Sequence, residues 1–185
     1  DDPRYRKLVT ESVHVVSEEL DHLQRLVKEF SSFARMPDIK PRMSSFDALA
    51  SDVVRLYPQP EITLTIERGA GEFMFDPDQM RRVLVNLLDN AVAAVRGVAD
   101  PTISVGLSRG PDEFILTVSD NGSGIDEAHM VKIFDPYFTT KEEGSGLGLA
   151  MVKNIILLHG GTIDVESGGA RGTTFKIVLP VGGPE

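Results

Sequence analysis

Two asparagines four residues apart, Asn86 and Asn90, precede a carboxylate with a glycine run, Asp120-Asn-Gly-Ser-Gly-Ile125, and a second glycine run, Gly144-Ser-Gly-Leu-Gly148. Each group suggests its own chemistry. Amide oxygens are hard, neutral ligands suited to a Mg2+ ion that keeps waters and phosphate oxygens in its shell, and a spacing of four puts both amides on one helix face. Asp120 follows the alternating run Phe114-Ile-Leu-Thr-Val-Ser119, which predicts a strand end from which a carboxylate accepts a hydrogen bond from an exocyclic amine such as that of adenine. Gly122 and Gly124 let the backbone come close to a base. The run Gly144 to Gly148 opens the amphipathic stretch Leu149 to Leu158, so free amides at a helix start face phosphate oxygens. Any one cluster is a weak signal, because Asp-Asn-Gly-Ser-Gly also reads as a turn and an isolated asparagine pair as a solvated face. Their number and order point to a nucleotide site.

The elements that must hold these groups are legible around them. Asp76-Pro77 is an N-cap residue followed by proline at the first helical position, and it introduces a helix over Gln79 to Val95 in which Leu84, Leu87, Leu88 and Ala91 pack inward. Ser45 caps a helix from Phe46 to about Tyr57, which Pro58-Gln-Pro60 ends, and Ile62-Thr-Leu-Thr-Ile66 alternates as a strand. Further strands are expected near Glu72 to Phe75, Ile103 to Leu107, Glu113 to Ser119, Thr162 to Glu166 and Thr174 to Leu179. This mixture predicts an α+β fold, a two-layer sandwich with a mixed, mostly antiparallel sheet under three helices. Between Ile125 and Gly144 the pattern weakens. A lid that orders on nucleotide binding is expected there, with Phe134, Tyr137 and Phe138 packing beneath it.

Ahead of this unit, Val9, Val13, Val16, Leu20, Leu23, Val27, Phe30 and Ala34 step by fours and threes, a heptad seam widened by Leu26 and Phe33. A single helix does not bury such a stripe alone. The seam predicts helical partners, a preceding helix or a second copy of the chain, in preference to ordinary packing on its own domain. Pro37-Asp-Ile-Lys-Pro41 breaks the helix. The expected organisation is a bundle helix over 1–36, a hinge linker over 37–44 and a nucleotide-binding unit over 45–185.

The ordered motifs resemble the sensor histidine kinases, within the superfamily that also holds DNA gyrase, the ninety-kilodalton heat-shock chaperone and mismatch-repair ATPases. Asn86 and Asn90 match that family's N box, Asp120 to Gly124 its first glycine box, Phe134 to Phe138 its F box, Gly144 to Gly148 its second glycine box, and Gly172-Thr-Thr-Phe175 resembles the third. Phe138-Thr-Thr-Lys141 and Glu29-Phe-Ser-Ser-Phe-Ala-Arg-Met36 are similar to the nitrogen-regulation type. The resemblance implies a Bergerat-type ATP-binding fold preceded by the second helix of a dimerisation bundle. It implies Mg2+ and the phosphates at Asn90 and Asn86, adenine at Asp120, and the phosphate tail at Lys141 and the amides of Gly144, Ser145, Gly146, Leu147 and Gly148. Asn121, Gly122, Gly124, Ile125, Phe138, Thr173 and Thr174 would complete the nucleotide pocket. The hydrolytic relatives carry a glutamate general base where this chain has Asn86. An amide takes no proton from water, so transfer to a supplied nucleophile is favoured over hydrolysis.

The nucleophile implied is a bundle histidine followed by an acidic residue and a proline. His14 precedes Val15-Val16 and His22 precedes Leu23-Gln24, so neither fits; His129 falls in the lid, and His159-Gly160-Gly161 reads as a helix end. The chain begins at Asp1 without methionine, and it is expected to be a fragment whose acceptor helix lies upstream, binding ATP without phosphorylating itself. Relay to the aspartate of a response-regulator receiver domain, homodimerisation through the bundle, and a cytoplasmic setting follow from the resemblance. A serine kinase of the anti-sigma-factor type, which needs no long heptad helix, and a non-catalytic nucleotide-binding dimerisation module are the alternatives. Composition sets further bounds. The net charge is −9, with residues 37–185 holding thirteen Lys or Arg against twenty-one Asp or Glu, which disfavours nucleic acid as a partner. There is no cysteine, hence no disulfide or thiolate site. No run of 18 apolar residues appears, so any membrane link lies outside this chain.

Overall fold

A computed structural model describes residues 38–67, 71–141, 144–168 and 172–183, together with residues 10, 12–17, 19–20, 23–24, 27 and 30–31. The described residues from 10 to 31 are helical. Of the expected seam, Val13, Val16, Leu20, Leu23, Val27 and Phe30 are each at least half exposed, as is Val15; Val9, Leu26, Phe33 and Ala34, like His22, lie outside the described residues. No helix among the described residues is long and apolar enough to cross a membrane.

The remainder is a sandwich. In chain order it holds β1 (Arg42–Ser45), α1 (Phe46–Val54), β2 (Ile62–Ile66), β3 (Glu72–Phe75), α2 (Pro77–Ala94), β4 (Ile103–Arg109), β5 (Glu113–Asp120), α3 (Glu127–Met130), α4 (Gly148–Leu158), β6 (Thr162–Ser167) and β7 (Thr173–Pro180). Five strands form one sheet in the order β2-β4-β5-β7-β6, in which β2 and β4 are parallel and the other neighbours antiparallel. The period-2 pattern sends Val105, Leu107, Phe114, Leu116, Val118, Phe175, Ile177 and Leu179 to one buried face. Helices α1, α2 and α4 cover it with Leu49, Val53, Leu84, Leu87, Leu88, Val152, Ile155 and Ile156. At one end, Phe46, Phe73, Phe75 and Phe114 form a buried aromatic cluster with ring centroids 4.7 to 6.2 Å apart.

Three boundaries differ from the expectation. Residues 42–44, placed in the linker, belong to β1, whose backbone pairs antiparallel with β3 from Arg42↔Phe75 to Ser45↔Glu72; Arg-Met-Ser-Ser shows no alternation, and only the partner strand reveals it. Helix α1 ends at Val54 and passes through turns at Arg55 to Tyr57. The lid segment contains α3, a single turn capped by Asp126, too short for any periodic signal.

Asp76 shows how the layers are tied. Its Oδ1 accepts from the amides of Asp78 and Gln79 at 3.0 and 3.1 Å, its Oδ2 from Lys40 at 2.8 Å, and its own N–H donates to His159 Nε2 at 3.0 Å. Burial acts against the Asp76 charge, but the amides of Lys40, Gln79 and Asp78 outweigh it and hold the carboxyl below its usual range. A depressed carboxylate stabilises the fold above its unfolded pKa and loses that contribution as pH falls through the folded value. Asp76→Ala is therefore expected to cost about 2 kcal/mol at neutral pH. Urea unfolding at pH 7 and at pH 3 checks this, because the difference from the parent protein must shrink at the lower pH.

Candidate nucleotide site

Helix α2 is the surface on which the sequence motifs meet. Its buried stripe of Met80, Val83, Leu84, Leu87, Leu88 and Ala91 leaves Asn86 and Asn90 half-buried at the margin. Asn86 Nδ2 donates to the Arg82 carbonyl at 2.8 Å, and its Oδ1 lies 2.7 Å from where a Cβ on Gly148 would stand. A side chain at 148, where α4 starts, would require this amide to shift. That start carries no side-chain cap, so its first-turn amides face the loop before it.

One turn further along α2, Asn90 Oδ1 accepts a hydrogen bond from the Lys141 ammonium at 2.7 Å. Lys141 is set by its own amide donating to Thr139 Oγ1 at 3.1 Å. Burial of its ammonium lowers the Lys141 pKa; nearby Asp89 opposes that shift and Arg96 reinforces it. Asp89 is held by Tyr57, whose hydroxyl donates to Asp89 Oδ1 at 2.8 Å. Burial, and then the Asp89 carboxylate, push the Tyr57 pKa upward, so it stays a donor. Tyr57 is expected from sequence only as the end of a helix, and Asp89, although it lies between Asn86 and Asn90, is given no part in the site by its spacing.

The C-terminal turn of α2 seats the first glycine loop. Gly122 is buried against Ala94, whose carbonyl carbon would lie 2.5 Å from an added Cβ, and the Ser123 amide donates to the Ala94 carbonyl at 3.1 Å. Asp120 ends β5 as expected. Its Oδ1 accepts from the Gly122 amide at 2.8 Å. Burial raises the Asp120 pKa, and the Gly122 and Thr173 amides offset only part of that rise. Gly124, with φ of 69°, turns the loop, and the Ile125 amide donates to Ser167 Oγ at 2.8 Å. On the lid side, the Tyr137 amide donates to the Gly146 carbonyl at 3.0 Å and the Leu147 amide to Ser145 Oγ at 3.3 Å.

Not every expected residue arrives at this place. Both functions of the Asn121 amide are spent on the neighbouring turn, Oδ1 accepting from the Thr102 amide and Nδ2 donating to the Asp100 carbonyl, each at 2.8 Å. Thr173 pairs with Asp120 across β5 and β7 and shares its face, whereas Thr174 pairs with Ser119 and its hydroxyl donates to Ser119 Oγ at 2.9 Å. Strand alternation thus puts the Thr174 side chain on the opposite face from Asp120. Phe138 is half-buried against the core, its ring 5.4 Å from that of His129, while Tyr137 is exposed. Glu142 and Glu143 lie outside the described residues.

Comparison with known proteins gives the family of the chain. The family described as "Histidine kinase-, DNA gyrase B-, and HSP90-like ATPase" matches residues 75–183. The chain is 37% identical over 175 residues to the sensor histidine kinase ZraS of Escherichia coli (strain K12), covering 90% of this chain and 37% of that protein. It is 31% identical over 193 residues to the nitrogen regulation protein NtrY of Azorhizobium caulinodans, covering 97% of this chain and 24% of that one. It therefore spans well under half the length of these relatives. Among solved structures, the catalytic domain of histidine kinase ThkA superimposes with a TM-score of 0.68 at 26% identity, over 77% of this chain and 99% of that chain. Full-length ShkA in complex with AMPPNP gives 0.81 at 23% identity, over 95% and 40% respectively, a likeness of fold. With more than half of its length matched by that family, the chain belongs to the histidine kinase-, DNA gyrase B- and HSP90-like ATPases and is an ATP-binding domain of the histidine kinase kind.

Proposed function

We propose that this chain holds Mg2+·ATP for transfer of the γ-phosphoryl to a histidine, and that the acceptor stands on a bundle helix outside the chain. The observation that carries the reading is the gathering of three motifs on α2: the Asp120 loop on its last turn, the uncapped start of α4 against Asn86, and Lys141 on Asn90. Asp120 would accept from the adenine amine, with the Gly122 and Thr173 amides holding its carboxylate in place. The amides of Gly146 to Gly148 and the Lys141 ammonium would receive the phosphates. Asn90 and Asn86 fit a divalent ion, because neutral amide oxygens are its kind of donor and Asn90 Oδ1 already carries a cation, the Lys141 ammonium. Mg2+ there would neutralise phosphate charge.

Alignment and charge neutralisation are what phosphoryl transfer needs most. The bond from the γ-phosphorus to the bridging oxygen breaks as a bond to an imidazole nitrogen forms, ADP leaving with the electron pair. With Asn86 in place of a carboxylate, no side chain at that point of α2 takes a proton from water, which favours transfer to histidine over hydrolysis. Relay to a receiver-domain aspartate, pairing of two copies through the N-terminal helix with its exposed apolar residues, and a cytoplasmic setting complete the proposal.

Calorimetric titration with ATP and GTP, each with and without Mg2+, tests it. ATP is expected to bind more tightly than GTP and to tighten further with Mg2+; equal affinities would remove the adenine pocket. Mixing the chain with a bundle fragment carrying the acceptor should then give acid-labile phosphohistidine, and an acid-stable phosphoserine would instead support the serine-kinase alternative.

A further inference from the structure

We propose that Ser167 is a positioning residue of the base pocket, setting the two loops that hold Asp120 in register. The inference rests on the adenine role of Asp120 given above and extends it to a residue outside every motif. Ser167 is the last residue of β6, the edge strand beside β7. Its Cα partner on β7 is Thr173, and the Cα partner of Thr173 on β5 is Asp120. Directly opposed residues of antiparallel strands share a face, so Ser167, Thr173 and Asp120 form one row across the sheet, on its helix-covered side.

The Ser167 hydroxyl works in two directions. It accepts from the Ile125 amide at 2.8 Å and donates to the Gly172 carbonyl at 2.9 Å, with Thr173 Oγ1 3.3 Å away. Ile125 closes the loop that begins at Asp120, and Gly172 immediately precedes Thr173, whose amide bonds the Asp120 carboxylate. One hydroxyl therefore joins the two segments whose amides orient that carboxylate. A base lodged against Asp120 depends on that spacing, while phosphates at α4 and Lys141 do not. Without the hydroxyl, the Ile125 amide and the Gly172 carbonyl lose their shared partner, and the carboxylate loses a fixed direction rather than its charge.

The test is Ser167→Ala in the full chain, titrated with Mg2+·ATP and Mg2+·GTP beside the parent protein, with a thermal melt to show that both are folded. ATP affinity is expected to fall about ten-fold, the scale of one or two net hydrogen bonds, while GTP affinity stays within about two-fold. The ATP to GTP preference thus collapses by nearly the whole of the loss. Should the alanine variant fail to fold, Ser167→Cys, similar in size and a poor hydrogen-bonding group, carries the same expectation. Unchanged ATP affinity overturns the proposal, and so does an equal loss for both nucleotides, which would make Ser167 a general stabiliser. A parent protein with no preference for ATP brings down the adenine reading itself, and this inference with it.

Discussion

Asp120→Asn is expected to weaken ATP binding by roughly 30- to 100-fold, about 2 to 3 kcal/mol, because it removes a charged acceptor and sets an amide donor against the adenine amine. GTP, which offers no amine at that position, should lose little. The same substitution is expected to leave the unliganded protein as stable as before or slightly more so. Burial raises the Asp120 pKa, and a carboxylate raised above its unfolded value is a strained charge at neutral pH, which asparagine relieves. The raised value also fixes the direction of a pH effect. ATP binding by the parent protein should fall on acidification starting above the usual carboxylate range, and the asparagine variant should be flat through that window. Calorimetry at a series of pH values, paired with thermal melts, reads all three outcomes; ATP binding by the variant equal to that of the parent would end the assignment.

Asn90→Ala should abolish the tightening that Mg2+ gives to ATP, a loss of about 10- to 100-fold on the scale of disturbed metal ligation, and leave metal-free ATP binding far less affected. The Lys141 contact makes this prediction sharper. Asn90 Oδ1 is taken up by an ammonium at 2.7 Å, and one neutral oxygen does not serve a lysine and a divalent cation together, since the two repel at such range. If Asn90 holds the metal of a bound nucleotide, Lys141 would have to leave Asn90, and the phosphates would be its nearest new partner. Titrating Mg2+ at fixed ATP in both proteins separates the terms: the parent curve shifts with Mg2+ and the variant curve does not. A variant that still tightens with Mg2+ would place the metal elsewhere.

Where the chemistry sat in contiguous motifs, the residues were readable before the fold. Asp120 at a strand end, Asn86 and Asn90 on one side of α2, and Gly148 at the start of α4 all follow from local spacing. So did Ile62–Ile66 and Glu72–Phe75, because alternation and flanking breakers mark a strand without reference to its partner. What escaped depends on contacts distant in sequence. β1 exists because Arg42 to Ser45 pair with β3, and Ser167 matters because register sets it beside Thr173; neither has a local signature. Tyr57 meets Asp89 only through the packing of α1 on α2. Membership of a motif also does not say where a side chain points. Asn121 and Thr174 sit next to Asp120 and Thr173 in the chain, yet one turns to the Asp100 to Thr102 backbone and the other to the far face of the sheet. For Thr174, the period of two could have said so in advance.

The histidine at the end of α4 has a bearing on how the nucleotide site can respond to events elsewhere. His159 is buried, its Nε2 accepting from the Asp76 amide and its Nδ1–H donating to the Ile155 carbonyl, which clamps the tail of α4 to the head of α2. From that clamp both helices run about three turns, roughly 15 Å at 1.5 Å per residue, before they meet again where Gly148 abuts Asn86. Two struts of matched length, joined at both ends, make a truss. Its joints are coupled, so the Asn86 amide and the start of α4 hold their separation as one unit. Any rearrangement that accompanies nucleotide binding would then fall to the parts outside the truss, residues 126–144 and the Asp120 loop. A substitution at His159, a full strut away from any phosphate, would be felt at the nucleotide as a slackened frame.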